Sequence, residues 1–99
     1  MQILIHAPWE VNPYMKDLIE QKIQKLTKYE SHIQKAEVFM KDGQGESIRD
    51  KNVEIRLKTS YSKVFAQDTD VELEKALANA IDKLKKQLIK KKGKLHSHN

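Results

Sequence analysis

The chain has 99 residues, with 19 Lys and Arg, 14 Asp and Glu, and no cysteine. This length predicts one domain with a single two-layer core. The lack of cysteine excludes a disulfide scaffold, a cysteine-ligated metal site and a cysteine nucleophile. The first residues lack a basic start followed by a long apolar run, and no stretch approaches 18 apolar residues. We therefore expect no signal peptide, no membrane span and a cytoplasmic protein.

The charge is distributed unevenly along the chain. Residues 1–82 carry all 14 acids and 12 of the bases, a net charge of −2, whereas residues 83–99 carry seven lysines and no acid. A helix dipole is complemented by two or three cations in the last turn, so seven lysines exceed that need. The asymmetry predicts a polyanionic partner.

The N-terminal part of the chain predicts a strand followed by a helix. Residues 2–7 are a short apolar run that stops at Pro8, which favours a strand of about five residues. Asn12 followed by Pro13 is typical of an N-cap and first helical position. Apolar residues then recur at spacings of three and four to about Thr27, namely Met15, Leu18, Ile19, Ile23 and Leu26.

Three further strands are predicted in the middle of the chain. Residues 35–41 place Ala36, Val38 and Met40 on one side, and residues 52–59 alternate strictly, with Val53, Ile55 and Leu57 inward.

The loop at 42–50 holds two of the three glycines but leads into a strand, so it is not a phosphate cradle. Residues 63–67 predict the fourth strand, and residues 68–70 supply N-cap candidates for a second helix.

The second helix, predicted over residues 70–94, has two different sides. Its apolar residues fall in one stripe at 100° per residue: Leu73, Leu77, Ala80, Ile81, Leu84 and Leu88. The opposite side carries lysines, namely Lys75, Lys83, Lys86 and Lys90, flanked by Lys85, Lys91, Lys92 and Lys94. One side is therefore expected to pack on the sheet and the other to meet the partner.

The element order β-α-β-β-β-α predicts an α+β fold like that of double-stranded-RNA-binding domains, a four-stranded sheet with both helices packed on one face. Helices side by side on one face bring the lysines of the first helix, Lys22, Lys25 and Lys28, beside those of the second. Lysine is a point charge without the bidentate fork that reads guanine, so this surface suits phosphates rather than base edges.

Two segments resemble the ribosome hibernation-promoting factor family, also called protein Y or ribosome-associated inhibitor A. Residues 16–29, KDLIEQKIQKLTKY, are close to its E-x-K-x-x-K-L-x-K-Y run. Residues 81–92, IDKLKKQLIKKK, are close to its I-D-K-L-x-R-Q-L-x-K-x-K run. The resemblance covers residues 1–95 and implies a factor that binds 16S rRNA of the small ribosomal subunit near the A and P sites. It would silence translation under stress, in starvation or stationary phase.

Matched residue by residue, the resemblance implies rRNA contacts by Lys22, Lys25, Lys28, Lys83, Lys86 and Lys90, and the charge pattern adds Lys75 and Lys91. The chain departs from the family where residues 73–77, LEKAL, replace Y-A-A-I-D. We expect one ribosome-binding domain over residues 1–95, a short flexible tail at 96–99, the short form without a dimerisation domain, and a monomer in solution.

An enzyme is disfavoured because no nucleophile or metal-ligand spacing such as H-E-x-x-H is present, so no catalytic residue, cofactor or metal is expected. The histidines are scattered over a strand, a connection and the tail: His6, His32, His96 and His98. Core or rim packing, rather than base stacking, is expected for Tyr14, Tyr29 and Tyr61. A generic double-stranded-RNA-binding domain remains an alternative function.

Overall fold

A computed structural model describes residues 1–47 and 49–96, with side chains described up to Lys91 except at Ser47. The elements are β1 (Gln2–His6), α1 (Pro13–Gln24) continued by a 3-10 turn (Lys25–Lys28), β2 (Ile33–Asp42), a 3-10 turn (Gly45–Ser47), β3 (Lys51–Thr59), β4 (Lys63–Asp70) and α2 (Leu73–His96). The predicted order is confirmed. Of the predicted tail, residues 97–99 lie outside the described residues and His96 ends α2.

The four strands form one mixed sheet in the order β1-β2-β3-β4. β1 pairs parallel with β2, and α1 makes the crossover that a parallel pair requires. β2 with β3 and β3 with β4 are antiparallel. The loop between β2 and β3 joins two strands, as predicted, and Gly45 has a φ of 60° there.

Both helices cover the same face of the sheet. The inward residues of β2, β3 and β4 share one core with the apolar side of each helix. Its largest buried members include Ile19, Ile23, Ile55, Leu77 and Leu84. The predicted α2 stripe is confirmed, with Ile81 and Leu73 only partly buried at its margins. The other face of the sheet carries no helix within the described residues.

The start of α1 follows the sequence signals. The Asn12 side chain accepts a hydrogen bond from the Met15 amide at 2.8 Å, and Pro13 is the first helical residue. α2 starts later than predicted because β4 continues to Asp70, paired with Lys51 of β3. Strand pairing thus overrides the weak β propensity of Asp68 and Asp70. Of the predicted cap candidates, Asp70 accepts a hydrogen bond from the Glu72 amide at 2.9 Å, just before α2 begins.

α2 runs past the sheet. Leu88 is its last buried residue among those whose side chains are described, and Lys90 and Lys91 beyond it are exposed. The helix is amphipathic, and no helix in the described ranges is long and apolar enough to cross a membrane. Lys90 and Lys91 are therefore open to solvent beyond the last buried residue of α2.

Candidate nucleic-acid interface

The outer side of α2 presents lysines that are free to exchange partners. Lys86 pairs with Asp82 one turn earlier at 3.0 Å, and 75% of its side chain is exposed. Lys75 pairs with Glu72 at 3.3 Å and is 67% exposed. Exposed pairs of this kind contribute about 0–1 kcal/mol, so a phosphate can replace either carboxylate at little cost.

The end of α1 lies next to α2. The Lys85 ammonium is 5.4 Å from the centre of the Tyr29 ring, a cation–π contact that joins the residue after the 3-10 turn to the middle of α2. Lys25 and Lys28 are exposed in that turn and Lys22 is half-buried just before it.

Because both helices cover the same face of the sheet, the lysines on their outer sides face away from the sheet. We call this set the basic helix surface: Lys22, Lys25, Lys28, Lys75, Lys86 and Lys90. Lys91 follows Leu84 by seven residues, so it lies in line with the apolar stripe and not on the outer side of α2. Seven lysines and no acid occur in residues 83–99, so the surface is most positive toward the end of α2.

Lys83 lies at the margin of the basic helix surface and already has partners. Its Nζ donates to the Gln67 carbonyl at 2.8 Å and to the Asp68 carboxylate at 3.1 Å. Gln87, one turn later, donates to the Phe65 carbonyl at 2.9 Å. β4 is an edge strand whose outward carbonyls lack a strand partner. Lys83 and Gln87 therefore supply hydrogen-bond donors to two of these carbonyls. The sequence placed Lys83 in the solvent stripe; the structure turns it toward the sheet.

The charge of Asp68 is stabilised by this arrangement. A hydrogen bond from Asn79 at 2.9 Å and the pairing with Lys83 lower the pKa of Asp68, against a smaller opposing effect of burial. Asp68 is therefore ionised at neutral pH and holds Lys83 against the edge of β4.

The histidines and tyrosines do not form a catalytic arrangement in the described part of the chain. His6 pairs with Glu37 at 3.1 Å and His32 with Glu30 at 3.3 Å, while His98 lies outside the described residues. No cluster of three or more potential metal ligands occurs among residues 1–47 and 49–96. Tyr29 packs against the core as expected.

Of the expected core or rim packing, Tyr14 and Tyr61 show no core packing, while the Tyr61 ring makes an edge contact with His32, with 5.6 Å between the ring centres. Tyr14 is 64% exposed and Tyr61 is 65% exposed.

The sequence reasoning missed two aromatic residues on the uncovered face of the sheet. Phe65 is 64% exposed, and Phe39, half-buried, lies between His6 and Arg56. Alternation along β4 could have revealed Phe65, because Val64 and Ala66 are buried and the residue between them must point away.

The sequence profile of the family described as Sigma 54 modulation protein / S30EA ribosomal protein matches residues 6–96. The chain belongs to this family. The predicted resemblance is thereby confirmed, and membership supports a ribosome-associated function. The description of the family names a sigma 54 modulation protein and a ribosomal protein, and it names no enzymatic reaction. A sequence comparison with curated proteins gives no match.

Solved structures share this fold. A ribosomal subunit interface protein from Coxiella burnetii superimposes with a TM-score of 0.84 at 21% identity, over 94% of this chain and 99% of that one. The N-terminal domain of Thermus thermophilus Protein Y superimposes with a TM-score of 0.77 at 24% identity, over 91% of this chain and 98% of that one. The mixed four-stranded sheet with two helices on one face is thus the fold of these proteins too.

Proposed function

We propose that this protein is a translation inhibitor that binds the small ribosomal subunit through 16S rRNA near the A and P sites and silences translation under stress. The observation that carries the proposal is the basic helix surface in a member of the S30EA ribosomal protein family. In this proposal the protein acts in the cytoplasm as a monomer and uses no cofactor.

The contacts are proposed to be electrostatic. Along α2, Lys75 and Lys90 are 15 residues apart, about 22 Å at 1.5 Å per residue, so the surface can span several phosphates. Lysine ammonium groups contact phosphate oxygens without fixing base identity. Lys83 contributes from the margin, where Asp68 holds it. Occupying the path of tRNA and mRNA would then prevent initiation without any chemical step.

Binding specificity tests the proposal against a generic duplex binder. Purified 30S and 70S particles are sedimented with the protein, with and without an excess of a long RNA duplex. We expect the protein to remain with the particles when the duplex is present. We expect it not to bind 30S subunits that were first loaded with mRNA and tRNA. Displacement by the duplex at equal phosphate concentration would favour the generic double-stranded-RNA-binding domain instead.

Inhibition of a cell-free translation reaction tests the mechanism. Lys86→Glu should weaken inhibition in proportion to its loss of 30S occupancy. Lys16→Glu is the matched control, because Lys16 is also exposed but lies about 120° around α1 from Lys22. Equal loss of inhibition in both variants would contradict a contact through the basic helix surface.

A further inference from the structure

A row of three lysines crosses the uncovered face of the sheet, on the side opposite the helices. Lys35 of β2 is paired in register with Lys58 of β3, and Lys58 with Lys63 of β4. Like charges directly opposite one another destabilise a sheet. Lys35 is partly neutralised by Glu37 at 3.4 Å, but Lys58 and Lys63 have no ion-pair partner among the described residues.

Protection of the sheet edge does not account for this row. Lysines are common on edge strands, where they discourage pairing with another chain. That explanation covers Lys63 on β4, but β2 and β3, which carry Lys35 and Lys58, are the two central strands. A bound anion would offset the repulsion in all three positions.

Next to the lysine row lies a flat platform. Phe65 is 64% exposed and is paired in register with Arg56 of β3. The Arg56 guanidinium lies 4.8 Å from the centre of the Phe39 ring, and Glu54 accepts from its Nη2 at 2.9 Å. The His6 ring stacks on Phe39 at 4.6 Å with an angle of 14° between the planes. The Arg56 and Phe39 side chains are therefore held in place before any ligand arrives, and Phe65 lies exposed beside them.

The platform and the lysine row are close enough for one nucleotide to contact both. Phe65 and Lys63, like Arg56 and Lys58, are two residues apart on one strand, about 7 Å at 3.4 Å per residue. These four side chains also line one shallow depression of the sheet surface. Flat groups for bases beside cations for the backbone are the combination by which proteins bind single-stranded nucleic acid.

We propose that this open sheet face binds a short segment of single-stranded RNA, with a base stacked on Phe65 and neighbouring phosphates on Lys58 and Lys63. A duplex does not fit, because its bases are stacked on one another and offer no free face to Phe65. An acidic peptide would satisfy the lysines but would not use the ring. This site is separate from the basic helix surface, so the protein can hold RNA on both of its faces.

The test is fluorescence anisotropy with a fluorescein-labelled decauridine, first at low salt. Wild-type protein should bind it. Phe65→Ala should weaken binding about five- to hundred-fold, the range for loss of one base–aromatic stack. Phe65→Tyr should retain binding, whereas Phe65→Leu, apolar but not flat, should behave like Phe65→Ala. Tyr14→Ala is the matched control, because Tyr14 is an aromatic residue with the same 64% exposure on the helix side.

Charge variants separate the two faces. Lys63→Gln should lower affinity for decauridine and reduce the slope of log K against log[salt] by about 0.7. Lys86→Gln should change affinity less. Three results would overturn the proposal: wild-type affinity in Phe65→Ala, a larger effect of Lys86→Gln than of Lys63→Gln, or displacement of decauridine by an equal charge concentration of decaglutamate.

Discussion

Replacing Leu84 by alanine tests whether α2 is held to the sheet through its apolar stripe. Leu84 lies at the centre of that stripe and is 0% exposed. Truncation at such a site loses the transfer free energy of the removed carbons and leaves a cavity, which together cost about 2–5 kcal/mol. For a domain of this size each kcal/mol lowers Tm by about 4–8 °C, so we expect a decrease of roughly 8–40 °C.

Ile89→Ala is the matched control on the same helix. Ile89 is 48% exposed, so its truncation leaves no enclosed cavity, and alanine has the higher helix propensity. We expect its free energy of unfolding to change by less than about 0.5 kcal/mol. Urea unfolding followed by circular dichroism measures both variants. A loss below about 0.5 kcal/mol for Leu84→Ala, or equal losses in the two variants, would refute packing through this stripe.

Two further predictions concern the edge of β4. Lys83→Met should lower the free energy of unfolding, measured in urea, by about 0.5–1 kcal/mol, because it removes the donor to Gln67 and Asp68. Lys90→Met is the control and should have almost no effect. Equal effects of the two substitutions would show that the edge contact does not stabilise the fold. The pKa of Asp68 is lowered in the folded protein, so its contribution is fully present above the unfolded pKa of about 3.9 and is lost as pH falls through the lower folded pKa. Wild type should therefore be more stable than Asp68→Asn at pH 7, and the difference should vanish in acid; a difference that persists unchanged to pH 2 would contradict this assignment.

Most of the fold could be predicted from periodicity. The strict alternation of β3 and the three-four spacing of α2 each follow from which side chains must be buried, so Val53, Ile55, Leu77 and Leu84 were placed correctly. The end of β4 could not be predicted in the same way. Asp68 and Asp70 have side chains with weak strand preference, and this segment is extended because β3 pairs with it.

The candidate site was predictable in composition but less so in geometry. Helical spacing assigns lysines to the outer side of α2, but a flexible four-carbon side chain turns toward the strongest nearby acceptor. For Lys83 those acceptors, the Gln67 carbonyl and Asp68, are brought close only by tertiary packing. The platform at Phe65 and Arg56 likewise depends on the register of β3 with β4, which no local pattern specifies.

The salt dependence of binding to purified 30S subunits tests the central claim most directly. If the basic helix surface neutralises about five phosphates, log K should fall against log[salt] with a slope of roughly −4. Lys86→Glu should weaken binding and reduce that slope by about one, with Tm nearly unchanged because 75% of the Lys86 side chain is exposed. Lys16→Glu should leave the slope at the wild-type value. An unchanged slope and affinity in Lys86→Glu would contradict rRNA binding through the helices.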